Sequence, residues 1–220
     1  MQRFWNRATA GAKTIPKMVF LDCRVDLFFI FVAMGVAFLA THVSGFIMSA
    51  IGVEQDSRID IAYLVPILTL SSVLGVFAIR SRLALRQSPI ARSTMVAVAI
   101  GLGLLASRSA WNGFNPTTFN PTVAGILLLI TVCFIAPLLE ELFFRGYLWN
   151  KLSARGYGAG LIVIATSLLY VLPHVPNSFA AFADYATIGL SLGAVRYFSG
   201  RLLLPVLFHT AMNSMLIFNL

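Results

Sequence analysis

Charged residues are scarce in this chain: only 11% of its 220 residues are Asp, Glu, Lys or Arg, whereas 59% are hydrophobic. A soluble domain carries about 25% charged residues, and a disordered chain is poor in hydrophobic ones. The composition therefore excludes a soluble enzyme and an intrinsically disordered protein. It predicts an all-α protein, built as a polytopic bundle of transmembrane helices.

Cysteine is also scarce, and this argues against a disulfide-stapled secreted module. The chain has two cysteines, of which Cys23 lies beside basic residues and Cys133 lies inside an apolar run. Because the two thiols occupy such different surroundings, we predict that they do not form a disulfide.

Acidic residues number only 8, against 16 basic ones. The basic residues lie mostly in short loops between apolar runs, which is how membrane proteins set their orientation in the bilayer. No basic face carries interleaved aromatic side chains, so we do not expect a nucleic acid as partner. The expected partner at this point is the lipid bilayer, and the oligomeric state is left open.

The apolar residues divide the chain into three parts. Residues 1–24 carry five bases along their length and lack the apolar core of a cleavable signal, so we expect a cytoplasmic or interfacial segment. Residues 25–120 form N-terminal transmembrane helices without a motif, and residues 121–220 form a second helical part. Seven apolar segments predict about seven spans: Leu27–Ile51, Ile61–Ile79, Thr94–Ser107, Val123–Leu139, Ala159–Leu172, Phe179–Val195 and Leu202–Leu220.

The positions of the basic residues support this count. If the N-terminus is cytoplasmic, 14 of the 16 bases fall on the cytoplasmic side, and only Arg58 and Arg108 fall outside. Such an alternating bias is typical of multi-pass membrane proteins. We therefore predict a multi-pass integral membrane protein with a cytoplasmic N-terminus. We expect its functional site, considered next, to open toward the cytoplasm.

A few ionisable residues stand inside the apolar runs of the second half. Residues 61–220 hold only three of the acids, and two of these, Glu140 and Glu141, are adjacent at the end of an apolar segment. His174 and His209 are likewise embedded in apolar sequence. A charged group at membrane depth costs at least about 2.5 kcal/mol, so such residues usually face a cavity and have a function.

Helical spacing sorts these groups into pairs. Residues four apart share one face of a helix, so Glu141 is expected to form an ion pair with Arg145. Glu140 is turned by about 100° from Glu141, which leaves its carboxylate available for chemistry. His209 and Asn213 are also four apart and project together from the last segment.

The fifth segment offers a further pair, Tyr170 and His174, on one face. Pro173 removes a backbone donor just before the histidine, so the helix should kink or end there. A rise of 1.5 Å per residue places His174 about 22 Å along this segment, which is too far toward the outside to reach Glu140 in a straight, untilted helix.

These side chains suit hydrolytic chemistry. A carboxylate and an imidazole can activate a water molecule, and a second imidazole with a carboxamide can donate hydrogen bonds to an oxyanion. Glu140, His174 and His209 could alternatively ligate zinc, although the sequence has no His-Glu-x-x-His motif. Buried Glu and His can also relay protons in a transporter, but no inverted repeat is visible.

Together the pairs resemble the three motifs of the CPBP family, which comprises CAAX prenyl endopeptidases and bacteriocin-processing or immunity proteins and is also called the Abi family. The resemblance covers roughly residues 122–214, and the run Glu-Glu-Leu-Phe-Phe-Arg-Gly closely matches the first motif. The motifs occur in the family's order: Glu140-Glu141-x-x-x-Arg145, Tyr170-x-x-x-His174 and His209-x-x-x-Asn213.

The resemblance implies an intramembrane endopeptidase with a catalytic helical core at residues 121–220. Its expected partner is a peptide or membrane-protein substrate, and CAAX-type processing of a prenylated or other membrane-associated peptide is one form of that reaction. Glu140 and His174 would activate the attacking water, and His209 and Asn213 would stabilise the oxyanion. Three residues would support the site: Glu141, Arg145 and Tyr170. No metal is expected in this mechanism, and zinc is the alternative.

Two features depart from the family pattern: Tyr170 stands where the family usually has Phe, and a proline directly precedes His174. Intact motifs do not by themselves establish turnover. A catalytically silent immunity or scaffold protein and a proton-coupled transporter are therefore the alternatives.

Overall fold

The computed structural model describes residues 15–50, 55–80, 93–111 and 123–218 of the chain. Every regular element in these ranges is a helix, so the predicted all-α fold is confirmed. The first three helices are α1 (Ile15–Ala50), α2 (Gln55–Arg80) and α3 (Thr94–Trp111). After α4, described next, follow α5 (Ala159–Val171), α6 (Phe179–Ser199) and α7 (Leu203–Phe218).

The fourth helix, α4, runs continuously over residues 123–154 but changes its winding along the way. Two of its five stretches are π-helical and separate three α-helical ones. In chain order these stretches are Val123–Ile130 (α), Thr131–Ile135 (π), Ala136–Glu141 (α), Leu142–Leu148 (π) and Trp149–Ala154 (α).

Among the described residues, two helical segments are long and apolar enough to cross a membrane, Asp26–Ala50 and Gly125–Ala154. Three shorter apolar helices accompany them, at Leu64–Arg80, Thr94–Ser107 and Ala159–His174. The predicted apolar segments thus fall on helices wherever the structure describes them. The number of spans and the cytoplasmic N-terminus stay predictions.

The first helix presents large apolar side chains on its outer surface. Phe28, Phe38 and Phe46 are each about two-thirds or more exposed, at 64%, 67% and 75%. A surface of this kind is costly in water and suits contact with lipid.

Two of the basic residues counted as cytoplasmic lie inside the bundle. The side chains of Arg145 and Arg196 are fully buried, with 0% and 1% exposure. They are therefore buried in the bundle rather than exposed in loops, and the assignment of 14 bases to the cytoplasmic side stays a prediction. The remaining bias still favours the same orientation.

Helix α4 packs against α2, α5 and α7, which places it between the two halves of the chain. Its contact with α2 is tight at Gly75, where an added Cβ would lie 2.4 Å from Leu139 Cδ2. Only a glycine allows the two helices to approach this closely without a shift of the leucine side chain. Leu139 directly precedes Glu140, so this close contact brings α2 to the edge of the site.

An ion pair connects α1 to the far end of α4. The buried carboxylate of Asp26 accepts hydrogen bonds from Tyr147 Oη and Lys151 Nζ. The Asp26 side chain is fully buried, whereas Lys151 is 15% exposed. The contact holds the N-terminal helix against the motif-bearing helix. Cys133 is a buried free thiol, as predicted, whereas the side chain of Cys23 lies outside what the structure describes.

Candidate active site

The first π-helical turn of α4 has a local cause in the sequence. It spans Thr131–Ile135 and ends just before Pro137. Proline has no N–H to donate to the carbonyl four residues back, and the N–H of Ala136 donates to Thr131 O, five residues back. Widened turns of this type occur frequently at functional sites. Here the turn makes backbone carbonyls of α4 available to the neighbouring helix.

Asn213 of α7 uses one of these carbonyls. Its side-chain Nδ2 donates to Val132 O at 2.9 Å. The sequence predicts Asn213 as a donor beside His209, one helical turn away, and the structure directs one of its N–H groups to the α4 backbone. A carboxamide nitrogen carries two hydrogens, so Asn213 can hold α4 with one and donate to a further acceptor with the other.

Glu141, Arg145 and His209 form a fully buried network. Glu141 Oε1 accepts from Arg145 Nη1 at 2.8 Å, which confirms the ion pair predicted from the four-residue spacing. The same oxygen faces His209 Nδ1 at 3.1 Å. A carboxylate beside an arginine acts as an acceptor, so Nδ1 of His209 carries the proton in this contact. Spacing alone did not predict that His209 pairs with Glu141.

Arg145 also reaches across the bundle to α6. Its Nη2 donates to Gly189 O at 2.9 Å. Gly189 itself lies against α5, where an added Cβ would be 3.0 Å from Ser167 Cβ. The short distance between α5 and α6 therefore brings the Gly189 carbonyl within reach of the guanidinium.

Glu140 differs from its neighbour in both exposure and contacts. Its side chain is 13% exposed, whereas that of Glu141 is fully buried. Glu140 Oε2 lies 3.9 Å from His209 Nε2, and Oε1 lies 3.5 Å from Ser71 Oγ. The structure thus pairs Glu141 with Arg145 and leaves Glu140 as the less buried of the two glutamates, whereas its availability for chemistry stays a prediction.

His174 lies at the end of α5 in a short 3₁₀ turn, Leu172–His174, as expected from Pro173. Its Nδ1 is 2.8 Å from Tyr170 O. A carbonyl can only accept, so Nδ1 donates and the lone pair of the neutral ring lies on Nε2. The next residue, Val175, has φ 44°, a left-handed conformation that is rare and strained for a β-branched residue. The tightened turn brings His174 back toward the other site residues.

Aromatic rings hold the His174 imidazole on two sides. Ring centroids of Tyr170 and Tyr185 lie 4.5 Å and 4.3 Å from that of His174. Tyr170 also contacts His209, with Oη 3.3 Å from Nε2. The Tyr170 ring centroid lies 5.8 Å from that of His209, so this ring stands between the two imidazoles. The structure thus joins the two histidines that a straight helix would have kept apart.

The residues predicted from the three motifs therefore share one interior location. Glu140 and Glu141 come from α4, His174 from the end of α5 and His209 from α7, and Tyr170 touches both histidines. Such a cluster of ionisable groups in an apolar surrounding is typical of a functional site.

Comparisons with known proteins match the part of the chain that carries the three motifs. The model of a family described as type II CAAX prenyl endopeptidase Rce1-like matches residues 122–215. Residues 122–215 are therefore similar to the Rce1-like domain of this family. This is a membrane-embedded protease family, and its domain covers less than half of the chain.

An Escherichia coli protein with the printed name "Uncharacterized 24.3 kDa protein" is 40% identical to this chain over 86 residues. The match covers 38% of this chain and 40% of the relative, so it spans less than half of that protein's length. No solved structure matches the chain.

One site residue comes from outside the Rce1-like domain. Ser71 lies on α2 and is 1% exposed, with its hydroxyl directed at Glu140 Oε1. Residues 25–120 carry no motif, so their sequence does not predict this serine as a site residue. Its signal is weak, because a hydroxyl inside an apolar helix usually bonds to its own backbone or to a neighbouring helix.

Arg196 is a second residue that the sequence analysis missed. It was counted as a loop charge, yet its Nε donates to Arg145 O at 3.0 Å and its guanidinium carbon lies 5.9 Å from the Trp149 ring centroid. Two buried arginines therefore support the Rce1-like site from α4 and α6. An arginine at the end of an apolar run can lie in a loop or be buried in the bundle, and the sequence does not show which.

The zinc alternative required Glu140, His174 and His209 as ligands. Within the ranges that the structure describes, no three His, Cys, Asp or Glu side chains are grouped in a way that could hold a metal ion. Nδ1 of each histidine already faces an oxygen acceptor, so a metal would have to use Nε2. A reaction without metal stays a prediction.

Proposed function

We propose that this protein is an intramembrane endopeptidase that hydrolyses a peptide bond with a water molecule activated by Glu140 and His174. The observation that carries the proposal is the shared location of Glu140, His174 and His209 in the bundle interior. The Rce1-like domain supports CAAX-type proteolysis as the reaction class. The expected substrate is a prenylated or other membrane-associated peptide.

Glu140 and His174, the two groups proposed to activate water, can each accept one of its hydrogens. Glu140 is 13% exposed, so a water molecule can reach it, and within the part of the chain that the structure describes its ion-pair partner is His209. The Nε2 lone pair of His174 can accept one hydrogen of that water, while the Glu140 carboxylate takes the other as the oxygen attacks the carbonyl carbon. The protonated Glu140 then returns the proton to the leaving amine. The products are an amine and a carboxylic acid, and the reaction consumes only the peptide substrate and one water molecule.

The oxyanion that forms on the substrate carbonyl requires hydrogen-bond donors. His209 and Asn213 are the proposed donors, with Asn213 using the N–H that does not face Val132. His209 already commits Nδ1–H to Glu141, so it donates to substrate only when Nε2 also carries a proton. Each preorganised donor is worth about 3 kcal/mol of transition-state stabilisation in known acyl-transfer enzymes.

Glu141 and Arg145 act as positioning residues in this proposal. Their buried pair fixes one side of His209 and ties α4 to α6 through the Gly189 carbonyl. We propose that the chain crosses the bilayer several times with its N-terminus in the cytoplasm. The site would then open to the cytoplasmic side.

The decisive experiment compares membranes that contain the unaltered chain with membranes that contain Glu140→Gln. Proteomic analysis of new peptide termini identifies the cut protein, and a quenched fluorescent peptide of that sequence then gives rates with the purified chain in detergent. We expect Glu140→Gln and His174→Ala to lose at least a hundredfold in kcat while keeping their helical content. Asp184→Asn, which removes a carboxylate of α6 outside the cluster, serves as the matched control.

Other outcomes would assign the protein differently. Cleavage by Glu140→Gln at the rate of the unaltered chain would remove the protease assignment. A biological effect that persists in all site variants would indicate a scaffold or immunity role, and solute flux in liposomes would indicate a transporter. The zinc alternative predicts loss of cleavage with 1,10-phenanthroline, whereas the proposed mechanism predicts an unchanged rate.

A further inference from the structure

The hydroxyl of Tyr170 occupies the Nε2 side of the His209 ring. Oη and Nε2 are 3.3 Å apart, and the two residues are 1% and 2% exposed. Because Nδ1 of His209 faces Glu141, the tyrosine and the glutamate together contact both nitrogens of the imidazole. The ring is held at each end.

A phenol at this position needs a polar partner. A buried hydroxyl without a hydrogen bond costs about 1–3 kcal/mol, whereas phenylalanine would fill the same space with no polar group to satisfy. The ring of Tyr170 has separate packing contacts, with the Arg145 guanidinium carbon 4.7 Å and the Phe144 centroid 5.5 Å from its own centroid. These contacts require only the ring, so they do not explain the hydroxyl.

The hydroxyl can serve His209 in both of its protonation states. When the imidazole is neutral, Nε2 has a lone pair and Tyr170 O–H donates to it. When Nε2 is protonated, its N–H can donate to the phenol oxygen, and the O–H turns to another acceptor. In either state the hydroxyl restrains rotation of the ring about its Cβ–Cγ bond. Glu140 Oε2, 3.9 Å from Nε2, lies on the same side.

We propose that Tyr170 is a positioning residue for His209: its hydroxyl holds the imidazole ring in the orientation that places Nε2 beside the Glu140 carboxylate. This inference rests on the proposed endopeptidase function. It assigns a role to the atom by which this chain departs from the usual Phe of the motif. Tyr170 thereby connects the two histidines, since its own backbone carbonyl fixes Nδ1 of His174.

The test uses Tyr170→Phe, which removes one oxygen and retains the ring. We expect kcat for the identified substrate to fall about tenfold, the effect of losing about one hydrogen bond, while KM changes less than twofold. Tyr197→Phe, on α6 outside the cluster, should retain the kcat of the unaltered chain. Tyr170→Leu should lose more than Tyr170→Phe, because it removes the ring contacts as well.

A spectroscopic measurement separates positioning from packing. The chain has only three histidines, so ¹⁵N-histidine labelling gives a small set of ring signals in solid-state NMR. The His209 signals are those lost in His209→Gln, and Tyr170→Phe should shift the Nε2 signal of His209 but leave those of His42 unchanged. If Tyr170→Phe does not fold, incorporation of a fluorinated tyrosine at position 170, which keeps the hydroxyl but makes it a stronger donor, should shift the same signal.

The two proposals fail in different ways. An unchanged kcat in Tyr170→Phe, or an unchanged His209 Nε2 signal, would overturn the role of Tyr170 even if Glu140→Gln is inactive. Cleavage by Glu140→Gln at the rate of the unaltered chain would overturn the proposed function. Loss of kcat together with a shifted His209 signal supports the positioning role.

Discussion

Replacement of Arg145 by methionine tests the central ion pair most directly. The guanidinium donates to Glu141 Oε1 at 2.8 Å and to Gly189 O at 2.9 Å, and both side chains of the ion pair are fully buried. Arg145→Met keeps an unbranched apolar chain in the space but leaves the Glu141 carboxylate buried without its counter-ion. Only His209 Nδ1 then remains as a donor to that carboxylate among the contacts described.

The expected loss is large because an uncompensated buried charge remains. Removing one partner of a buried ion pair costs about 3–5 kcal/mol. We therefore expect the free energy of unfolding to fall by about that amount. The double variant Glu141→Gln/Arg145→Met removes both charges of the pair, and its Gln Oε1 can still accept from His209. It should be at least about 2 kcal/mol more stable than Arg145→Met alone, so the second change restores stability.

Thermal and denaturant unfolding in detergent micelles, followed by the helical circular dichroism signal, measures these differences. Arg201→Met is the control, because its exposed side chain should change the unfolding free energy by less than about 0.5 kcal/mol. The reasoning fails if Arg145→Met stays within about 1 kcal/mol of the unaltered chain, or if the double variant is less stable than the single one.

Three further predictions concern the supports of the site. Ser71→Ala should lower kcat about threefold by removing a hydrogen bond of about 0.6 kcal/mol from Glu140, whereas Ser72→Ala should not, and equal rates would exclude a role for the serine. Val175→Gly should leave the unfolding free energy unchanged or raise it by up to about 1 kcal/mol, because glycine tolerates φ 44°. A loss above about 1 kcal/mol in thermal unfolding would show that the backbone at Val175 is not strained. Lys151→Met should lower the unfolding free energy by about 2 kcal/mol, since Asp26 stays buried and charged, and Asp26→Asn in the same chain should recover most of this loss. If the double variant recovers nothing, the pair does not hold α1 to α4.

Contacts between residues close in sequence were the most predictable. The Glu141–Arg145 pair follows from a spacing of four on one helix, and the end of α5 follows from Pro173. In both cases the backbone geometry of a helix settles which atoms meet. The exposure difference between Glu140 and Glu141 followed from the same geometry, because adjacent residues point in different directions.

Contacts between helices were not predictable in this way. His209 and Asn213 share one face of α7, yet one binds Glu141 and the other binds the Val132 carbonyl. That carbonyl is available only because α4 is π-helical before Pro137. Arg196 was predicted to be a loop charge and lies in the interior instead. Sequence spacing predicts which residues share one face of a helix. It does not predict which atoms of the neighbouring helix contact that face.

By itself the sequence determined the helical class, the membrane character and the three motifs, since composition and i,i+4 spacing are local properties of the chain. Only the tertiary structure decided that Ser71 joins Glu140, that Tyr170 bridges the two histidines, and that the fifth helix ends in a turn tight enough to bring His174 among them. These contacts depend on how closely helices pack at Gly75 and Gly189, and on the widened turns of α4. Interhelical distance and helix winding arise from the packing of many side chains at once, which no short stretch of sequence encodes.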